Sequence, residues 1–179
     1  FNTLNEINKT DLSKLNKLNP NDRIGPCVSK PSKFIGIGLN FKDHAEEQKL
    51  PIPKEPIIFS KFTNCITGPN DGIIIPKNSF KSDWEVELGV IIGRETKYIN
   101  ENQSQDHIAG YCVVNDLSER EFQLEHLGQW VKGKSCDTFG PIGPYLVTKD
   151  EVFDPQNLKL WLDLNGKRMQ DGSTKTMVY

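Results

Sequence analysis

Asp83-Trp84-Glu85-Val86-Glu87-Leu88-Gly89-Val90-Ile91-Ile92-Gly93 sets two carboxylates two residues apart at the mouth of an apolar, β-branched run. Such a run reads as a strand. Side chains alternate faces along a strand, so Glu85 and Glu87 share one side while Val86 and Leu88 pack on the other. Two acids on one face repel each other. Either that face is open to water, the ordinary place for Glu, or a dication holds the pair together. Hard oxygen ligands of this kind suit magnesium, manganese or calcium.

Outward from this strand the chain reads as many short strands and few helices. Towards the N-terminus, Lys33-Phe34-Ile35-Gly36-Ile37-Gly38-Leu39-Asn40 is a glycine-containing strand, and a helical turn with Asp43, His44 and Glu47 follows it. Pro51, Pro53 and Pro56 break that helix, so the stretch from His44 to about Pro53 is expected to be a lid that orders on ligand binding. Ile57-Ile58-Phe59-Ser60-Lys61 and Ile73-Ile74-Ile75-Pro76 read as further strands. In the other direction, Ile108 to Asp116 is strand-like and again ends in a carboxylate. Ser118, with Glu121 three residues on, has the pattern of a capping box opening a helix that carries Arg120, Gln123 and His126. Lys132-Gly133-Lys134-Ser135 and residues 139–144 read as loops, and Tyr145-Leu146-Val147 as a strand. Residues 158–164 have strand periodicity, and Asn165-Gly166 is a hairpin turn. The pattern predicts a β-rich α+β fold, with no internal repeat and no phosphate-binding glycine loop.

The chain has 179 residues, enough to bury a core without staples, and a net charge of −2 from 22 basic and 24 acidic residues. That balance gives no electrostatic footprint for nucleic acid, and no apolar segment approaches the span of a bilayer. The four cysteines, Cys27, Cys65, Cys112 and Cys136, form no Cys-x-x-Cys pair and are expected to be free thiols in a reducing cytoplasm. Residues 1–23 read as a tail or the end of a preceding segment, with Leu4, Ile7, Leu15 and Leu18 roughly at helical spacing. A start without Met and a stop at Tyr179 lead us to expect a fragment of a longer polypeptide.

Glu85, Glu87 and Asp116 thus stand at strand ends, and three monodentate carboxylates on one dication would leave positions for water and a chelating substrate. Spacing alone leaves Asp116 equally readable as a helix-start residue. His44 and Glu47, three apart, share a helix face, so the carboxylate can orient the imidazole and raise its basicity. Arg120 and Gln123 are also three apart and can face one site together.

Five blocks stand in order: Ile37-Gly38-Leu39-Asn40-Phe41-x-Asp43-His44-x-x-Glu47, Gly68-Pro69-Asn70-Asp71, Trp84-Glu85-Val86-Glu87-Leu88, Asn115-Asp116, and Lys134-Ser135 with Pro141. Together they resemble the fumarylacetoacetate hydrolase family, from about residue 24 to the last. Glu119-Arg120-Glu121-Phe122-Gln123-Leu124 and residues 132–141 most resemble its ureidoglycolate lyases and hydrolases of 2,4-diketo-3-deoxy sugar acids.

The resemblance implies a mixed β-roll around a metal pocket, with residues 24–179 as a catalytic domain whose C-terminal part is missing. It implies Glu85, Glu87 and Asp116 as ligands of Mg²⁺ or Mn²⁺, with Ca²⁺ as a possible substitute. His44 and Glu47 become a general base and its orienting partner, Lys134 the active-site lysine, and Arg120, Gln123 and Thr138 substrate contacts. Lys61, like Thr138, matches a residue near the family pocket. His107 and His126 match no motif and read as structural. The implied activity is hydrolysis of a carbon–carbon bond in a 2,4-dioxo acid, giving pyruvate or an analogue and a carboxylic acid, by a cytoplasmic homodimer. Ureidoglycolate lyase, decarboxylase, isomerase and hydratase chemistries use the same acid head. A non-catalytic metal-binding dimerisation module is the reading of another class, and retention of His44 and Lys134 speaks against it. Two departures stand out: Phe41 occupies a position where tyrosine is commoner, and the chain stops before the family's Thr-Gly-Thr-Pro type loop.

Overall fold

A computed structural model describes residues 2–179, with side chains described from residue 5 on. In chain order its main elements are α1 (Asn2–Ile7), β1 (Phe34–Gly38), α2 (Lys42–Glu47), β2 (Ile57–Lys61), β3 (Ile66–Thr67), β4 (Ser82–Asp83), β5 (Val86–Ile92), β6 (Ile108–Asn115), β7 (Ser118–Glu119), a π-helical turn (Glu121–Glu125), α3 (Trp130–Lys134), β8 (Gly140–Pro141), β9 (Val147–Thr148), β10 (Lys159–Leu164) and β11 (Lys167–Ser173). The strands form five small sheets, and among the described residues none closes into a barrel. The largest is antiparallel, in the order β5-β6-β9. Pairs β1-β2, β4-β7 and β10-β11 are also antiparallel, whereas β3-β8 is parallel. No helix among the described residues is long and apolar enough to cross a membrane.

The β5-β6 ladder organises the molecule. Its register pairs Glu87 with Val114 and Gly89 with Cys112, so the face that carries Glu87 also carries the core. Cys112, Val114 and Ile142 are buried there against Phe34, Ile66 and Ile91. A second cluster of Cys65, Leu117 and Phe139 continues it, with Phe34 and Trp84 packed alongside. The opposite face keeps Val90, Ile92 and Val113 exposed. Apolar packing therefore lies beside the carboxylates as much as behind them, which places the acids at the end of a dry surface.

The structure departs from the sequence pattern at identifiable points. Trp84 and Glu85 lie outside the strand, because the Glu85 amide donates to the Asn115 side chain at 3.2 Å, while β4 turns away to pair with β7. Residues 73–76 form no strand; the Ile74 amide donates to Thr138 Oγ1 at 2.8 Å. Residues 132–134 are helical, since Gly133 lets α3 approach to where a Cβ would meet the Glu119 carbonyl at 2.4 Å and the Gln123 backbone at 2.6 Å. Ser118 sits in β7 rather than at a cap, and the buried Glu119 carboxylate takes the Phe122 amide at 2.6 Å instead. Only Val147 of the predicted strand at 145–147 is in β9.

The N-terminal stretch forms α1 and then a short turn, with Ile7, Leu15 and Leu18 exposed; the Leu4 side chain and Phe1 lie outside the described residues. The C-terminal residues bond on either side of the stretch expected to be a lid. Thr176 Oγ1 donates to Asp43, the Val178 amide to the Asn40 carbonyl, and the Tyr179 hydroxyl to the Pro53 carbonyl, at 2.8–2.9 Å. Ala45, 1% exposed, anchors α2 from within.

Candidate active site

At the head of the ladder the backbone joins the acids directly: the Asp116 amide donates to the Glu85 carbonyl at 2.8 Å. Cross-strand neighbours share a face, so Glu85, Glu87 and Asp116 lie on one side. Their oxygens do not gather around one point. Lys134 Nζ lies between two of them, 2.5 Å from Glu85 Oε2 and 2.8 Å from Asp116 Oδ2. Among the described residues no three His, Cys, Asp or Glu side chains close into a metal cage.

Lys134 reaches this position because α3 packs on the inner face of β2. Trp130 meets Phe59 edge-on, with ring centroids 5.5 Å apart, and Lys134 Nζ lies 5.1 Å from the Phe59 ring. Gly36, opposite Phe59, makes room, since a Cβ there would fall 2.2 Å from the ring. Arg120 enters from the π-helical turn, a helix form that recurs at functional sites. Its guanidinium donates to Glu85 Oε1 at 2.6 Å, to Asp83 at 2.7 and 2.9 Å and to Gln123 Oε1 at 3.0 Å. Arg120 and Gln123 therefore meet as their spacing predicts, and Arg120 links Gln123 to Glu85.

Charge is unevenly distributed. Burial alone would raise the Glu85 carboxyl, but Lys134 and Arg120 outweigh it and hold the group below its ordinary value. Glu87 has no ion-pair or hydrogen-bond partner among the described residues. Burial first, then Glu85 and Asp116, push its carboxyl up to about 8. Asp116 Oδ1 is buried without a hydrogen bond; Lys61 Nζ lies 2.6 Å away, a close ion pair off the hydrogen-bond direction. Glu87, half-buried and leaning towards its neutral form, and Asp116 Oδ1, with Lys61 close but off the hydrogen-bond direction, are hard oxygen donors that no hydrogen bond satisfies. That chemistry fits a hard divalent cation.

The remaining predicted residues stand apart from this cluster. His44 Nδ1 lies 3.6 Å from Glu47 Oε2 on α2, so the two share a helix face as read. No hydrogen bond or ion pair joins them to the carboxylates among the described residues. The Thr138 hydroxyl accepts from the Ile74 amide and donates to the Asp137 carbonyl. His107 bonds Thr96, and His126 stacks on Phe122. A groove of about 180 Å³ lies elsewhere, lined in part by Val113, Asn115 and Pro141, and its one acid, Asp71, is held by Arg23. Sequence reading missed Asp83, the clamp on Arg120, and Glu119, the buried cap of the π-helical turn. It also left Lys61 without a role. The one available signal for Lys61 is alternation, which sets it on the same strand face as Phe59.

Residues 33–179 match the family profile described as fumarylacetoacetate (FAA) hydrolase C-terminal. A Burkholderia ambifaria protein named as a candidate hydrolase is 58% identical over 98% of this chain, which spans 62% of that relative's length. Among solved structures, a candidate HpcE protein from Mycobacterium smegmatis is 41% identical at a TM-score of 0.80, covering 86% of this chain and 55% of its own. The 2-hydroxyhepta-2,4-diene-1,7-dioate isomerase of Mycobacterium marinum is 37% identical at a TM-score of 0.72, covering 82% of this chain and 53% of its own.

Proposed function

The chain belongs to the fumarylacetoacetate hydrolase family, and from that premise we propose that it is a metal-dependent enzyme that hydrolyses a carbon–carbon bond in a 2,4-dioxo acid, an acylpyruvate or a diketo-deoxy sugar acid. The observation that carries the proposal is the cluster of Glu85, Glu87 and Asp116 facing Lys134 and Arg120 at the head of β5 and β6. Glu85, Glu87 and Asp116 would hold Mg²⁺ or Mn²⁺, which supplies Lewis acidity towards the 2-oxo group. Arg120 and Gln123, bonded to each other, act as one unit towards the substrate. Lys134 neutralises the negative charge that develops as the C3–C4 bond breaks. His44, oriented by Glu47, takes the proton of the water that attacks the 4-oxo carbon. Residues 24–179 form the catalytic unit and residues 1–23 a tail, assembled as a cytoplasmic homodimer.

The isomerase named among the similar structures favours a second reading, in which a proton is moved between carbons and no water is consumed. Product analysis separates the two. A protein carrying this chain at the full length of its relatives is incubated with Mg²⁺ or Mn²⁺ and a panel of acylpyruvates, diketo-deoxy acids, oxaloacetate, ureidoglycolate and a 2-hydroxydienedioate. Release of pyruvate with a carboxylic acid supports the hydrolase. A new isomer of unchanged mass supports the second reading, and no turnover across the panel with metal bound refutes both.

A further inference from the structure

Lys61 ends β2 with its side chain turned inward, and at 2% exposure it is one of the most buried large residues of the molecule. An ammonium has three N–H donors and no acceptor, so burying one requires oxygens on several sides. It finds them on two separate elements. Lys61 Nζ donates to the Leu117 carbonyl at 3.1 Å and to the Lys134 carbonyl, and Asp116 Oδ1 lies 2.6 Å away. The first and third groups belong to the segment that leaves β6, and the second closes α3. Lys61 thus ties the backbone that carries Asp116 to the backbone that carries Lys134. The Phe34 ring, 6.0 Å from Nζ, covers one side. With two donors on backbone carbonyls, its charge paired with Asp116 and its surface sealed, Lys61 cannot itself reach a substrate.

We propose that Lys61 is a positioning residue that braces the Asp116 segment against the C-terminal end of α3 and so holds the Lys134 ammonium between Glu85 and Asp116. The inference rests on the proposed function only in taking Asp116 and Lys134 as working residues. Arginine cannot replace Lys61, because its planar fork does not match two carbonyls and a carboxylate arranged around one point.

The test has arms that need no substrate. In the wild-type chain, the Lys61 ammonium should give a slowly exchanging ¹⁵N–¹H signal coupled to the carbonyl carbons of Leu117 and Lys134. Exchange as fast as that of Lys14, whose side chain is 81% exposed, would overturn the brace even if no variant folds. In folded Lys61→Met, acetylation of Lys134 by an amine-reactive ester should rise at least about tenfold. Ile142→Ala, a core truncation outside the Lys61 contacts, should raise it no more than about twofold. Equal labelling in the two variants would assign Lys61 a merely structural role and overturn the proposal. On any substrate the wild type turns over, Lys61→Ala should lose kcat more than KM and regain turnover with n-propylammonium but not tetramethylammonium. A wild type without turnover would sink the proposed function and leave the first two arms to decide Lys61.

Discussion

Replacing Glu87 with Gln in the metal-free protein should stabilise the fold, and increasingly so as the pH rises. The Glu87 carboxyl has an ordinary value of 4.5 and is pushed to about 8 by burial and by Glu85 and Asp116. A carboxyl whose folded value exceeds its unfolded one takes up a proton on folding. Its contribution is complete below the unfolded value and is lost as the pH climbs from about 4.5 through about 8. At about 1.4 kcal/mol per pH unit the full gap corresponds to about 5 kcal/mol. Glu87 is half-buried and not sealed, so water and local relaxation reduce the expected effect to about 2 kcal/mol. Gln keeps the shape and cannot ionise. Urea unfolding in EDTA should therefore show a small advantage for Glu87→Gln at pH 5 that grows to about 2 kcal/mol at pH 9. The same substitution should abolish the gain from Mn²⁺, which for the wild type is about 2.7 kcal/mol at a hundred times the Kd. Parallel stability curves for the two proteins from pH 5 to pH 9 would show that Glu87 is not a strained charge beside Glu85 and Asp116, and the metal assignment would lose its physical basis.

His44→Ala should leave Mn²⁺ affinity unchanged while lowering turnover by about 10²- to 10⁴-fold, as loss of a general base does; unchanged turnover at neutral pH would remove His44 from the chemistry. Glu119→Ala leaves the part-buried amides of Lys81 and Phe122 without their acceptor, and should cost about 2 kcal/mol in urea unfolding. Gln at that position would turn N–H donors towards one of the two amides and should rescue little, so a loss below about 0.5 kcal/mol in either variant would dismiss Glu119 as the cap.

What was legible in the chain is what local period and turn chemistry encode. The alternation around Glu87 placed it on the core-side face of β5, with Glu85 just before the strand, the Asn165-Gly166 pair marked the β10-β11 hairpin, and the spacing of Arg120 and Gln123 brought them together. Illegible were features decided by partners distant in sequence. Residues 132–134 read as loop because Gly133 suits one, yet the close approach to Glu119 and Gln123 is what requires a glycine in a helix there. Ser118 had the better capping pattern, but Glu119 alternates to the side where the Phe122 amide lies, and a carboxylate accepts more strongly than a hydroxyl. Lys61 is the extreme case. Its partners Leu117 and Lys134 lie 56 and 73 residues away, and nothing in its own neighbourhood but Phe59 on the same face marks it as inward-facing. A lysine at the end of a strand reads as solvated because most are, since burial is costly unless oxygens are already in place. Here the fold supplies those oxygens from the two backbones that must be held together, so the residue hardest to read in the sequence sits where the Asp116 segment meets α3.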